Sequence, residues 1–135
     1  MWTCQKCGRK FERKNQSHSC NIYPLDKHFE GKEHAKVLYN RLKEEISKEI
    51  GPFTIESLSC CIHFVTTFTF AAVYALKDKI RVNFTLNYDL KNSRLVKVSQ
   101  MSANRYLYDI DIRNESEIDG ELISLLKQAY NLKKD

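Results

Sequence analysis

Three cysteines and a histidine fall within the first twenty residues: Cys4, Cys7, His18 and Cys20. Thiolate sulfur and imidazole nitrogen are the donors that hold a four-coordinate structural Zn2+. Cys4-Gln5-Lys6-Cys7-Gly8 has the C-x2-C-G spacing in which two thiolates reach one ion across a tight turn. Gly8 is free to take the backbone conformation that leaves such a turn. His18 and Cys20 lie two apart, so in an extended segment both face the same side. The set predicts a closed Cys3His zinc centre with no open position for catalysis. The competing readings are a redox C-x2-C pair or unliganded thiols. A redox pair normally opens a helix beside a βαβ unit, and no such pattern surrounds these residues.

The same stretch is basic. Residues 1–20 hold Lys6, Arg9, Lys10, Arg13 and Lys14 against Glu12 alone, a net +4. The whole chain is +5, so the remainder is close to neutral. A compact basic module on a neutral body is suited to a polyanion. Arg9, Lys10, Arg13 and Lys14 are therefore the candidate contacts to DNA or RNA phosphates. Trp2 and Phe11 are too little apolar surface to fold twenty residues without a staple, which the metal would supply. The knuckle resembles the first half of a zinc finger of the two-cysteine, two-histidine type. The second half departs from it: ten residues separate Cys7 from His18, and the ending is H-x-C. That leaves no room for a full recognition helix, so base reading in the major groove is not expected.

Further along, His63, Arg81, Asn83 and Arg105 lie on the polar sides of alternating β-patterned runs. If their strands are neighbours, they would form a cationic pocket for a phosphate or carboxylate. The alternative is ordinary polar decoration of an exposed sheet. Asp109 and Asp111 alternate on a late strand and could bind Mg2+ for nuclease chemistry. The simpler expectation is a solvated strand face flanked by Arg105 and Arg113. Cys60 and Cys61 are consecutive; on a strand they would point to opposite faces and stay unbridged, with Cys60 packed as a small hydrophobe. Cys61 and His63 share a face, but no third group completes a nucleophile and its base. With four glycines in the chain there is no Gly-rich phosphate loop, and neither G-x-S-x-G nor H-E-x-x-H occurs. No catalytic residues are expected.

These groups need elements to hold them. Residues 22–31 read as a linker docked by aromatics. Ala35, Leu38, Leu42, Ile46 and Ile50, with Tyr39 beside them, make one helical stripe that Gly51-Pro52 ends. The period then changes to two. Strands are expected around Ile55–Leu58, Cys60–Val65, Phe68–Leu76, Lys79–Asn87, Leu95–Val98 and Tyr106–Ile112, with Lys77-Asp78 as a hairpin turn. Asn114 and Glu117 form a capping-box pattern before a last helix striped by Ile118, Leu122, Leu125, Leu126 and Ala129.

Length and composition fit one ordinary domain with a small appendage: 135 residues, 42% hydrophobic and 29% charged. No apolar run approaches the roughly 20 residues needed to cross a bilayer, and the Met-Trp-Thr-Cys start is unlike a secretory signal. A cytoplasmic protein without a membrane partner is expected. There thiols stay reduced, which favours metal ligation over disulfides.

The stretches LDKHFEGK, CCIHFVTTFTFAAVYALKDKIRVNFTL and SANRYLYDIDIRNESEIDGELISLLKQAYNL resemble the DUF5655 family over residues 25–132. The resemblance rests on the strand–hairpin–strand block, the Ser102–Tyr106 segment and the AYNL ending. A zinc knuckle similar to this one precedes the domain in some members. The hairpin and the D-x-D-x-R ending are more loosely similar to the YjbR and YdhG (DUF1801) families, which implies a small α+β domain and some leaning towards DNA binding. The fold expected is α+β: an antiparallel sheet of about five to six strands with a helix before and a helix after it. Residues 1–22 would form the zinc knuckle and residues 23–135 the α+β domain. The function expected is a non-catalytic, zinc-containing binding protein that contacts nucleic acid through phosphate-directed cations. The alternatives are a small-molecule or enzymatic role on the polar sheet face, or a protein-interaction adaptor.

Overall fold

The computed structural model describes residues 2–5, 10–11, 13–15 and 23–132. At the front, β1 (Trp2–Thr3) pairs antiparallel with β2 (Lys10–Phe11). The body opens with a 3-10 helix, Leu25–Phe29, where the sequence suggests a linker. His28 is buried there with its Nε2 2.9 Å from Ser57 Oγ, and the Phe29 ring packs 5.1 Å from that of Tyr39.

Helix α1 (Glu33–Glu49) buries Ala35, Leu38, Tyr39, Leu42 and Ile46 along the expected stripe, and Ile50 becomes its C-cap. The chain leaves the helix through Gly51, where a side chain would not fit. An added Cβ would lie 2.8 Å from the Tyr130 hydroxyl, which itself donates to the Pro52 carbonyl at 2.7 Å. That close approach clamps the end of α1 to the end of the chain's last helix.

Six strands follow: β3 (Thr54–Ser57), β4 (Ile62–Val65), β5 (Thr69–Ala75), β6 (Ile80–Leu86), β7 (Leu95–Ser102) and β8 (Arg105–Ile112). They form one antiparallel sheet in the order β3-β4-β5-β6-β8-β7. The Leu76 amide donates to the Lys79 carbonyl at 2.9 Å, so Lys77-Asp78 is the two-residue turn between β5 and β6. β7 runs on to Ser102, four residues past the Val98 expected from the sequence. Its register against β8 slips between Leu95 and Lys97 and again between Gln100 and Ser102. These bulges leave Val96 and Met101 without partners across the ladder.

The last helix also starts later than the sequence suggests. The Asn114–Glu117 capping box closes a single 3-10 turn, Glu115–Glu117, and α2 runs Gly120–Tyr130 with Asp119 as its cap. The Asp119 carboxylate accepts from the Leu122 amide at 3.0 Å. Two N-terminal signals stand five residues apart, and each closes its own turn.

Both helices pack on one face of the sheet. Ile62, Phe64, Val73, Ile80, Val82, Phe84, Ile110 and Ile112 are buried beneath α1 and α2. Each such side chain contributes about 1.5–3 kcal/mol of burial. The strict alternation of β6, buried at every second residue, shows that the other face is open. Among the described residues no helix is long and apolar enough to cross a membrane.

Candidate functional site

The open face is where the chain's polar chemistry collects. A turn at Lys77-Asp78 sets Ala72 opposite Asn83 and Tyr74 opposite Arg81. β4 places His63 opposite Ala72 and Glu56 opposite His63, while β8 places Asp109 opposite Asn83 and Lys97 opposite Asp109. One row therefore crosses all six strands: Glu56, His63, Ala72, Asn83, Asp109 and Lys97. Ala72 is the small member at its centre. Larger neighbours rise around it and leave a cleft of about 160 Å3, lined among others by His63, Ala72, Tyr74, Asn83, Thr85 and Leu107.

Tyr74 ties the cleft to the start of β4. It lines the cleft with Asn83, and the register that pairs Ile62 with Val73 puts Cys61 level with it. Burial, then the neighbouring thiols, raise the Tyr74 pKa, so it stays a neutral phenol at ordinary pH. Cys60 and Cys61 reverse the expectation from the sequence. Cys60 lies in the two-residue turn before β4 and is exposed, while Cys61, whose carbonyl accepts from the Leu58 amide, is the first residue after the turn and is buried. Their Sγ atoms lie 3.0 Å apart.

The next row is an ion cluster. Arg81 grips Asp111 in a two-pronged pair, Nε to Oδ1 at 2.6 Å and the terminal nitrogen to Oδ2 at 3.1 Å. Lys79 adds a third contact to Oδ2 at 2.9 Å. The Arg81 hydrogen bond, with Lys79 beside it, holds the Asp111 carboxyl at about 2, against the opposing effect of burial. The expectation of a solvated Asp109–Asp111 face flanked by Arg105 and Arg113 is thus corrected at Asp111. β8 lies inside the sheet, so Asp111 faces β6 and is only 5% exposed in its side chain. Asp109 behaves oppositely: burial raises its pKa, against the pull of Arg81 and Lys97. With Asp111 committed to two cations, the two carboxylates are not a matched pair for Mg2+.

Of the pocket residues inferred from the sequence, His63 and Asn83 line the cleft. Arg81 shares their face but is held by Asp111, and Arg105 sits at the far end of β8 opposite Ser102. Sequence reasoning missed Tyr74, Ala72, Thr85 and Leu107. The hairpin turn already carried the signal for the first two, since it pairs them with Arg81 and Asn83. Of the zinc set, Cys4 is buried; Cys7, His18 and Cys20 lie outside the described residues, as does Arg9. Lys10 belongs to β2, and Arg13 and Lys14 are exposed. Among the described residues, no group of three or more His, Cys, Asp or Glu is placed to hold a metal ion.

No curated protein and no solved structure matches the chain. Residues 25–133, the 3-10 helix, both α-helices and the whole six-stranded sheet, match the model of a family described as a domain of unknown function, and the chain therefore belongs to the DUF5655 family.

Proposed function

We propose that the chain is a binding protein without a catalytic centre, and that its basic front segment contacts nucleic-acid phosphates around a structural zinc held by Cys4, Cys7, His18 and Cys20. The observation that carries this reading is where the charge lies: +4 of the net +5 falls in residues 1–20. Strongly engaged cations of the body are occupied internally. Lys79 and Arg81 serve Asp111, and Arg94 bridges Asp119 and Glu121. Arg13 and Lys14 are exposed to solvent. Phosphate contacts of this kind release counterions and carry no sequence information.

The test is fluorescence anisotropy with labelled single-stranded DNA, duplex DNA and RNA over a salt series. Four phosphate contacts give a slope of log affinity against log salt of about −3.6 on a duplex. Binding should fall by roughly two orders of magnitude between 50 and 200 mM salt. Replacing Lys10, Arg13 and Lys14 with alanine should flatten the slope by about 2.7 on duplex DNA and about 2 on the single strands. Affinity that ignores salt would refute the proposal. Metal content is measured separately: about one zinc per chain is expected, lost in Cys7→Ser.

A second reading is favoured by the cleft itself. Around Ala72 an imidazole, an amide, a phenol and a hydroxyl line a space of about 160 Å3, below the roughly 300–1,000 Å3 of a drug-sized ligand site and so suited only to a small group. Ala72→Leu fills that space without touching the front segment. A small ligand of the open face would lose binding in this variant, whereas the nucleic-acid salt slope would be unchanged.

A further inference from the structure

We propose that Cys60 and Cys61 form a reversible thiol–disulfide site, oxidised by a low-molecular-weight disulfide, and that its state is transmitted to the cleft through Tyr74. The observations are geometric. The two sulfurs are already in contact at 3.0 Å, one thiol is exposed and the other is buried, and the register that pairs Ile62 with Val73 puts Cys61 level with Tyr74 on the neighbouring strand. Cys60 lies in the two-residue turn Ser59-Cys60 between β3 and β4, which the Leu58 amide closes by donating to the Cys61 carbonyl at 2.9 Å.

The chemistry follows from the two environments. Burial, then the hydrogen bond and charge of Cys60, push the Cys61 thiol up to about 12. Cys61 is therefore protonated at neutral pH, and the exposed Cys60 is the thiol that meets an oxidant. Its thiolate attacks one sulfur of the disulfide, forms a mixed disulfide and expels one small thiolate. Capping Cys60 removes its charge, which adds to burial in opposing ionisation of Cys61. Cys61 then passes its proton to the first small thiolate and attacks Cys60 Sγ, expelling the second small thiolate, which takes a proton from water. Two protein thiols and one disulfide become one protein disulfide and two small thiols, and two electrons pass to the oxidant. Adjacent residues have Cα atoms about 3.8 Å apart across a trans peptide, below the usual span of a disulfide. The bond is strained, which places it with the labile, readily reduced disulfides and not with structural ones. Once Cys61 is in the ring its sulfur is no longer the thiol that faces the Tyr74 hydroxyl, and Tyr74 beside Asn83 must readjust. This holds whatever the cleft binds.

The test is equilibration of the full chain with mixtures of glutathione and its disulfide, then digestion with trypsin. Residues 49–77 form one peptide whose only cysteines are Cys60 and Cys61. In the wild type this peptide should become lighter by two hydrogens and return on adding glutathione. Cys61→Ser should trap one glutathionyl group on Cys60, and Cys60→Ser should leave Cys61 unmodified. A stable glutathionyl adduct on the wild-type peptide, or no change in it, would overturn the site. The link to the cleft is read from the side-chain amide signal of Asn83 by NMR: it should shift on oxidation and be insensitive to the oxidant in Cys60→Ser. An oxidised peptide with an unmoved Asn83 signal would refute the transmission.

Discussion

Asp111→Asn isolates one ion cluster with little change of shape. Asparagine keeps the size of a protonated aspartic acid, so the variant resembles the wild type with its carboxyl neutralised. In the folded protein Arg81 and Lys79 hold that carboxyl at about 2 instead of 3.8. The difference corresponds to about 2 kcal/mol of stability at neutral pH. The side chain is 5% exposed, so solvent screens the cluster weakly; Arg81, at 38%, can rehydrate when its partner goes, which keeps the loss below that of a fully buried pair. For a chain of this length about 2 kcal/mol is a drop in Tm of roughly 7 °C. The folded pKa is the lower one, so the contribution is complete above the unfolded value and disappears as pH falls through the folded value. Urea titrations at a series of pH values should show wild type and variant about 2 kcal/mol apart at pH 7, about half that near pH 3, and converging towards pH 2. A gap of the same size at pH 6 and pH 2.5 would mean the cluster's charge is not what stabilises it. No gap at pH 7 would refute the reasoning altogether.

Tyr108→Phe should release the 87–94 loop. The Tyr108 hydroxyl accepts from the Leu90 amide and donates to the Tyr88 carbonyl, both at 2.6 Å. Its loss should cost about 1–3 kcal/mol and abolish amide-exchange protection at Leu90; unchanged protection would show that the loop is held by other contacts. Gly51→Ala should cost about 1–2 kcal/mol by pushing the Tyr130 hydroxyl off Pro52. The double variant with Tyr130→Phe should lose less than the sum of the singles in urea denaturation, and full additivity would argue against the clash.

Much of the body was legible in the sequence because periodicity reports burial directly. The α1 stripe, the alternation of Ile80–Leu86 and the α2 stripe each name the side that faces the core. The Lys77-Asp78 turn fixes the β5–β6 register, since a two-residue hairpin leaves one pairing. What could not be read is the place of β8. It joins β6 across the sheet and leaves β7 outside, a choice set by long-range packing of Tyr108, Ile110 and Ile112 under the helices. The partner of Asp111 follows from that choice, which is why flanking arginines were the natural expectation from sequence. Cys60 misled for a local reason: alternation does not govern a turn, and this residue lies in the two-residue turn before β4. The cleft was only half visible, because a depression is made by the small residue at its centre, and Ala72 carries no chemistry of its own to attract notice.

The two slips of β7 bear on how the molecule ends. A sheet of six strands has two free borders, each a row of amides and carbonyls that a second chain could extend. One border, β3, has only four residues. The other has eight and carries exposed Val96, Val98 and Met101, apolar groups that in a flat strand would invite another strand to zip alongside. Val96 and Met101 sit where the ladder is broken, so the longest uninterrupted run against β8 is Lys97–Gln100, with Val98 its one exposed large apolar group. The slips divide an adhesive margin into pieces too short to template a neighbour. Deleting either extra residue would straighten that margin, and the price would be paid in solubility, well away from any ligand.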